Sequence, residues 1–199
     1  MLKRIFDIIF SSLGLIFLSP VFIIVSIWIK LDSSGPILFR QRRVGKDEQI
    51  FKIHKFRTMV VDAQSKGCLT VGVDSRVTKS GRFLRKSKID ELPQLIDVLI
   101  GNMSFVGPRP EVEEFIAEYP VDVRTRVLSI RPGITDRASI EMVDENILLS
   151  GYEDPRQAYI DIILPIKQKY YLEYVNNQSL ILDVSLIIKT LKKIVSSKR

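Results

Sequence analysis

From Ile8 to Ile29 the sequence reads IIFSSLGLIFLSPVFIIVSIWI, without one ionisable side chain. A helix of that length crosses the roughly 30 Å hydrocarbon core of a bilayer. Whatever the remaining residues fold into must therefore accommodate this segment. The composition fits such a concentration: 46% hydrophobic residues coexist with 27% charged ones.

Three readings of the segment compete. A cleaved signal peptide fits poorly, because the apolar run exceeds the usual ~7–15-residue core and no A-x-A-like cleavage site follows. A straight transmembrane span is the default from composition. A re-entrant helix-break-helix over residues 1–31 has two features in its favour. Ser19-Pro20 lies mid-segment, where proline removes a backbone donor and kinks a helix. Both flanks are also basic, with Lys3 and Arg4 before the run and Lys30, Arg40, Arg42 and Arg43 after it. The positive-inside tendency would hold both ends on the cytoplasmic side. Asp7 could pair with Lys3 or Arg4 at the interface, or serve simply as an acidic first-turn residue.

The net charge of +7 and pI near 9.5 imply a polyanionic partner: nucleic acid, an anionic membrane face or a phosphorylated substrate. No helix-turn-helix, zinc-finger or RNP-like pattern is legible and the cations are dispersed, which argues against nucleic acid. Cys68 is the only cysteine and His54 the only histidine. An intramolecular disulfide and a multi-His metal site are thereby excluded. His54 sits in FKIHKF, which alternates like a strand, so it reads as a packed strand residue.

Residues 32–199 form one further unit, α+β in class and mainly helical with a small β element. LDSSGP (31–36) reads as a turn. ILFRQRRVG and QIFKIHKFRTM read as two strands joined around Gly45 to Glu48. Residues 62–80 lack periodicity and read as a loop. Helical texture runs from Gly81 towards Gly101, with Asp90 as a candidate N-cap and Pro93 in the first turn. Another helix is expected from about Glu111 to Ser129, with Pro120 as a point of interruption, and Arg131-Pro132-Gly133 makes a tight turn. At the C-terminus, Leu180, Val184, Ile187, Ile188, Leu191 and Val195 share one face and Lys189, Lys192 and Lys193 the other. That pattern suits a core-packing helix or one lying on anionic lipid.

The stretch RKSKIDELPQLIDVLIGNMSFVGPRP, Arg85 to Pro110, carries the densest chemistry. Adjacent helical residues point about 100° apart, so Asp90 and Glu91 face one site only at a helix start or in irregular backbone. Taken alone the pair reads as a capped helix start. The flanking cations alter that reading. Arg85 lies one turn earlier, and Arg109 is braced by proline on both sides, as suits a phosphate clamp. Carboxylates facing phosphate need cations or a divalent metal between them, which points to Mg²⁺. Walker A, GxGxxG and GxSxG patterns are absent.

These residues, with KRIFD and the mid-membrane Ser19-Pro20, FRQRRVG, FKIHKFRTM, MSFVGPRP, RPGIT and LILDVSLIIKTL, resemble the bacterial sugar transferases that are small monotopic phosphoglycosyl transferases. The resemblance covers nearly the whole chain. It implies transfer of a sugar 1-phosphate from a UDP-sugar to undecaprenyl phosphate with release of UMP, at the cytoplasmic face of the bacterial inner membrane. It also implies that Asp90 is a covalent nucleophile and that Glu91 ligates Mg²⁺. Arg85 and Arg109, with Lys55, Arg57 and Arg131, would bind substrate. Ser19-Pro20 would break the membrane helix so that it returns to the leaflet it entered. Homo-oligomerisation is left open. The chain departs from the family pattern at Asp136-Arg137-Ala138-Ser139, at Asn102 and at His54, so the sugar cannot be inferred. The competing expectation is a catalytically silent membrane-associated scaffold of the same fold.

Overall fold

A computed structural model describes residues 1–63, 69, 72, 74–142 and 145–196. Helix α1 (Leu2–Asp32) is followed by a hairpin of β1 (Leu38–Val44) and β2 (Ile50–Phe56). Helices α2 (Lys79–Ser87) and α3 (Gln94–Ile100) lead to β3 (Ser104–Val106), then α4 (Glu113–Ala117), α5 (Val121–Val127) and β4 (Gly133–Thr135). The chain closes with α6 (Arg137–Glu141), α7 (Glu145–Leu149), α8 (Pro155–Ala158), α9 (Leu164–Asn176) and α10 (Leu180–Ser196). A π-helical turn at Tyr159–Ile163 joins α8 to α9. The expected class, mainly helical with small β elements, is the one observed.

Helix α1 runs through Ser19-Pro20 as one element with Pro20 inside it, so a return to the leaflet it entered would take the form of a bend there and not a gap. Proline at position 20 cannot donate to the Ile16 carbonyl four residues back. The Ser19 hydroxyl donates to that carbonyl instead, at 2.8 Å. The serine thus repairs the ladder that the proline opens, and helical geometry continues. Both ends of α1 are fastened to the same body. Near its start, Lys3 Nζ donates to Asp183 of α10 (2.5 Å) and to the Val106 carbonyl (3.0 Å). Arg4 donates to the carbonyls of Val98 (2.6 Å) and Leu99 (2.8 Å) at the end of α3, where cations satisfy the helix's unpaired acceptors. At the other end Asp32 accepts from the amide and hydroxyl of Ser80. Asp7 pairs with neither expected cation by contact; it accepts from Ser104 Oγ (3.1 Å) and the Phe105 amide (3.2 Å). Between the two anchors Ile16, Phe17, Ile23 and Ile24 are well exposed.

The hairpin forms as expected, antiparallel, with Leu38 opposite Phe56 and Val44 opposite Ile50. Ile53 and Phe56 of β2 face the core, Phe56 against Val25, Ile29 and Leu84. Strands β3 and β4 pair in parallel, Ser104 with Gly133 and Val106 with Thr135. Gly107 and Gly133 permit this approach: a Cβ on Gly133 would lie 2.1 Å from the Gly107 nitrogen. The helical segment expected from Glu111 to Ser129 is interrupted at Pro120, the point the sequence marked, giving α4 and α5: proline cannot donate within a helix and sits at the N-cap of α5. The 62–80 loop falls partly outside the described residues, as does Cys68; its end, from Lys79, is already α2.

Helix α10 bears on the two readings its apolar stripe left open. Asp183 and Leu186 are buried, with Leu182 and Ile187 packed beside them. Val184, Ile188, Leu191 and Val195 remain exposed, as does Ile181. Most of the apolar stripe therefore faces outward and not onto a core.

Candidate active site

Helix α2 begins at Thr78, whose hydroxyl accepts from the Gly81 amide (3.0 Å). It ends at Lys88, which adopts the left-handed conformation (φ 57°). The chain then makes a single 3₁₀ turn, Ile89–Glu91, before Pro93 opens α3. Asp90 is consequently not the N-cap of α3, and its side chain accepts no capping bond. The tight irregular turn is what lets consecutive carboxylates, Asp90 and Glu91, line one cavity.

The cavity has a volume of about 900 Å³ and is walled by the hairpin, the segment after β2, α2, the 3₁₀ turn and Arg109. Among its lining residues Lys and Arg outnumber Asp and Glu nine to three. The strap Gly107-Pro108-Arg109-Pro110 follows β3 and is held from two sides. Gly107 donates to the Thr135 carbonyl (3.1 Å), and Arg43 Nη1 donates to the Pro110 carbonyl (3.0 Å). Arg109 is thereby aimed at Glu91, with which it forms an ion pair. Lys55 Nζ reaches the same carboxylate at 2.8 Å.

The two carboxylates differ sharply. Burial opposes ionisation of Glu91, but the Arg109 guanidinium and the Lys55 ammonium outweigh it and hold the group well below the usual carboxylate range. Asp90 is 8% exposed, and its Oδ1 has no hydrogen-bond partner among the described residues. Burial first, then the adjacent Glu91 charge, push its pKa up to about 6. It is an ionisable oxygen kept unsatisfied beside a cationic cavity. Such an atom is disposed to attack an electrophile or to bind a cation.

Among the described residues no three His, Cys, Asp or Glu side chains gather to hold a metal. A Mg²⁺ ion asks for less, since it binds through one or two carboxylates, water and substrate phosphates. Glu91 beside the unpaired oxygen of Asp90 fits that requirement. Both Glu91 oxygens already meet cations, so a metal there would share them with Arg109 and Lys55.

The structure brings Asp90, Glu91, Lys55, Arg57, Arg85 and Arg109 to the cavity wall, and leaves Arg131 away from it. Arg131 is exposed and donates to the Gly101 carbonyl (2.7 Å). Arg57 is 4% exposed and spends its donors on Ser33 Oγ, the Ser33 carbonyl and the Pro36 carbonyl, which makes it a clamp on the turn after α1. Arg85 donates to Thr58 Oγ1 (3.0 Å). Sequence reasoning missed Arg40, Arg43 and Arg76 on the wall. Strand alternation puts Arg40 and Arg43 on opposite faces of β1, so no pattern in FRQRRV marked the two together. Sequence reasoning also missed the buried group behind the strap, where Tyr159 donates to Glu111 (2.7 Å) and Lys167 lies 2.9 Å from Glu145. These residues are distant in sequence and carry no local pattern. His54 is a packed strand residue as expected, its ring Nδ1 2.8 Å from Asp97.

The bacterial sugar transferase family model matches residues 1–197. The chain is 36% identical over 98% of its length to a UDP-N-acetylgalactosamine-undecaprenyl-phosphate N-acetylgalactosaminephosphotransferase of Aeromonas hydrophila. It is 37% identical over 96% of its length to a UDP-glucose:undecaprenyl-phosphate glucose-1-phosphate transferase of Klebsiella pneumoniae. It spans only 44% and 39% of those two proteins. It covers 92% of the exopolysaccharide production protein PSS of Rhizobium leguminosarum bv. phaseoli, at 37% identity over 95% of this chain. A cation-walled cavity with a buried carboxylate pair and an outward-facing apolar helix thus stand on a sequence matched from end to end, and the chain belongs to the bacterial sugar transferase family.

Proposed function

We propose that this chain transfers a sugar 1-phosphate from a UDP-sugar to undecaprenyl phosphate in two steps. The observation that carries the reading is the unpaired Oδ1 of Asp90, held beside a cavity rich in Lys and Arg. In the first step this oxygen bonds to the phosphorus that bears the sugar. The bond from that phosphorus to the bridging oxygen breaks, and UMP leaves with its electron pair. In the second step an acceptor phosphate oxygen attacks the same phosphorus, the aspartyl bond breaks, and the Asp90 carboxylate is restored. Splitting one transfer between two anions into two displacements leaves each needing chiefly alignment and charge neutralisation.

Arg85, Arg109 and Lys55 hold phosphate oxygens, and Glu91 fixes Arg109 and Lys55 while offering Mg²⁺ a ligand. When bound, the metal would neutralise diphosphate charge opposite the carboxylates. The names of the relatives support the reading, since two act on UDP-sugars and undecaprenyl phosphate.

The membrane disposition follows the same line. The anchors at Lys3 and Asp32 favour a re-entrant α1 with both ends on the cytoplasmic side. The exposed apolar stripe of α10, with Lys189, Lys192 and Lys193 beside it, favours a helix resting on anionic lipid.

The test is a panel of UDP-sugars with undecaprenyl phosphate, read as Mg²⁺-dependent UMP release. A phosphosugar adduct on the Asp90 peptide is expected before acceptor is added. Absence of any adduct in single-turnover trapping would favour direct transfer. Cysteines placed at Lys3 and Ser33 in a Cys68→Ser background should label from one side only; labelling from opposite sides would establish a span.

A further inference from the structure

The cavity is chemically mixed. Its lining combines Arg85, Asp90 and Glu91 with the apolar side chains of Leu38, Phe39, Met59, Val60 and Val61, the last three consecutive and termed the lip. Val60 and Val61 are 48% and 50% exposed, two neighbouring β-branched side chains left outside the core. The lip is built on the foot of the membrane helix. Gly35, at φ +120°, leaves room for Val61: a Cβ there would lie 2.6 Å from Val61 Cγ2. Arg57, which closes β2 and opens the lip, binds Ser33 and Pro36 of the same turn. Four residues before Gly35, Leu31 is 82% exposed, and Ile27 and Trp28 are exposed on the preceding turn of α1. Apolar surface therefore continues from the helix assigned to the bilayer onto the rim of a cationic cavity.

We propose that this lip seats the first isoprene units of the acceptor, so that an isoprenyl phosphate enters from the bilayer over Val60 and Val61. Its phosphate then points to Arg85 and Asp90, and its tail leaves past Leu31. The inference rests on the transferase reading above and adds the place and direction of acceptor entry. The match is one of charge and polarity along a line. An anionic head meets the guanidinium, and branched hydrocarbon covers side chains that water now wets, at about 0.8 kcal/mol per CH₂ buried. Free phosphate would gain nothing from the lip. A diacyl phospholipid would have to bring two chains and a glycerol over a rim built around two valines.

The experiment uses the full chain in vesicles of phosphatidylethanolamine and phosphatidylglycerol, with a benzophenone-bearing isoprenyl phosphate as photoprobe. Label is expected in residues 57–63, displaced by farnesyl phosphate but not by farnesol or by phosphatidic acid at equal concentration. Label confined to α10 or to the first half of α1 would overturn the proposal, as would equal displacement by phosphatidic acid. A Val60→Glu, Val61→Glu double variant should raise the apparent KM for undecaprenyl phosphate about tenfold and leave the KM for the UDP-sugar within about twofold. A parallel rise in both constants would also overturn it. Photolabelling requires no turnover, so the two readings fail separately. A labelled lip on a protein that releases no UMP from any UDP-sugar removes the transferase reading alone. UMP release with an unlabelled lip removes the entry path alone.

Discussion

Asp90 and Glu111 are buried to nearly the same degree, 8% and 6% exposed, and stand on opposite sides of the Arg109 strap. Glu111 has company on every side: the Tyr159 hydroxyl at 2.7 Å, Lys167 at 3.7 Å and Arg43 at 3.9 Å. Burial works against its charge, but Lys167 and Arg43 outweigh that cost and lower its pKa. Asp90 has cations within electrostatic reach but an oxygen without a hydrogen bond, and its pKa is raised. One carboxylate is invested in holding the fold together. The other is held at a cost to stability, and such costs concentrate where chemistry is done.

Asp90→Asn should break this comparison most visibly. UMP release is expected to fall by about 10³-fold or more. Stability should rise, because a carboxylate whose folded pKa exceeds its unfolded value costs folding energy once it ionises. The gain should be full above pH 6, about 3 kcal/mol or a Tm rise of ~6–12 °C at pH 8. It should vanish below the ordinary value near 3.8. A lower Tm at pH 8 would sink the contrast.

Lys167→Met should act in the opposite sense. It leaves Glu111 and Glu145 without their shared cation, so thermal or urea unfolding should show a loss of about 3–5 kcal/mol. UMP release per folded molecule is expected to stay within about threefold of the original. A loss of activity far beyond the loss of folded protein would show that the rear group also tunes Arg109.

The pH profile offers a subtler check. On the proposed mechanism Asp90 attacks as a carboxylate, so the acid limb of UMP release should centre near pH 6, the value to which burial and Glu91 push the group. A limb near pH 4 would mean that the burial is not felt. The smallest effect belongs to a third buried carboxylate, Asp97, which accepts from the His54 amide (2.8 Å) and meets the His54 ring. His54→Phe removes only the ring contact and should cost about 1 kcal/mol in unfolding experiments.

Features encoded by local rules were legible in the sequence. The hairpin followed from alternation, the helix end near Gly101 from glycine, and the candidate strip from Arg85 to Pro110 from its charge density. Arg109 announced itself by its flanking prolines. What escaped depended on distance along the chain. Nothing near Glu111 points to Lys167, and nothing in FKIHKFRTM says that Arg57 faces Ser33 and Pro36 while Lys55 faces Glu91. Arg131 was drawn towards the site by the family resemblance, but the parallel pairing of β3 and β4 places it beside Gly101. The surroundings of the α10 stripe stayed open in the sequence because apolar periodicity reports a stripe and not what the stripe meets. Asp183, a charged residue, turned out to be the inward one.

The bond from Lys3 to Asp183 also has a consequence for the order in which the molecule is made. Its partners are 180 residues apart. At synthesis rates of about 5–20 residues per second, Lys3 has left the ribosome roughly 10–40 s before Asp183 exists. During that interval the most apolar segment of the chain has no finished body to return to. The fastening of its start to the body is thus one of the last contacts to form, set by the arrival of the C-terminal helix and not by the segment's own emergence.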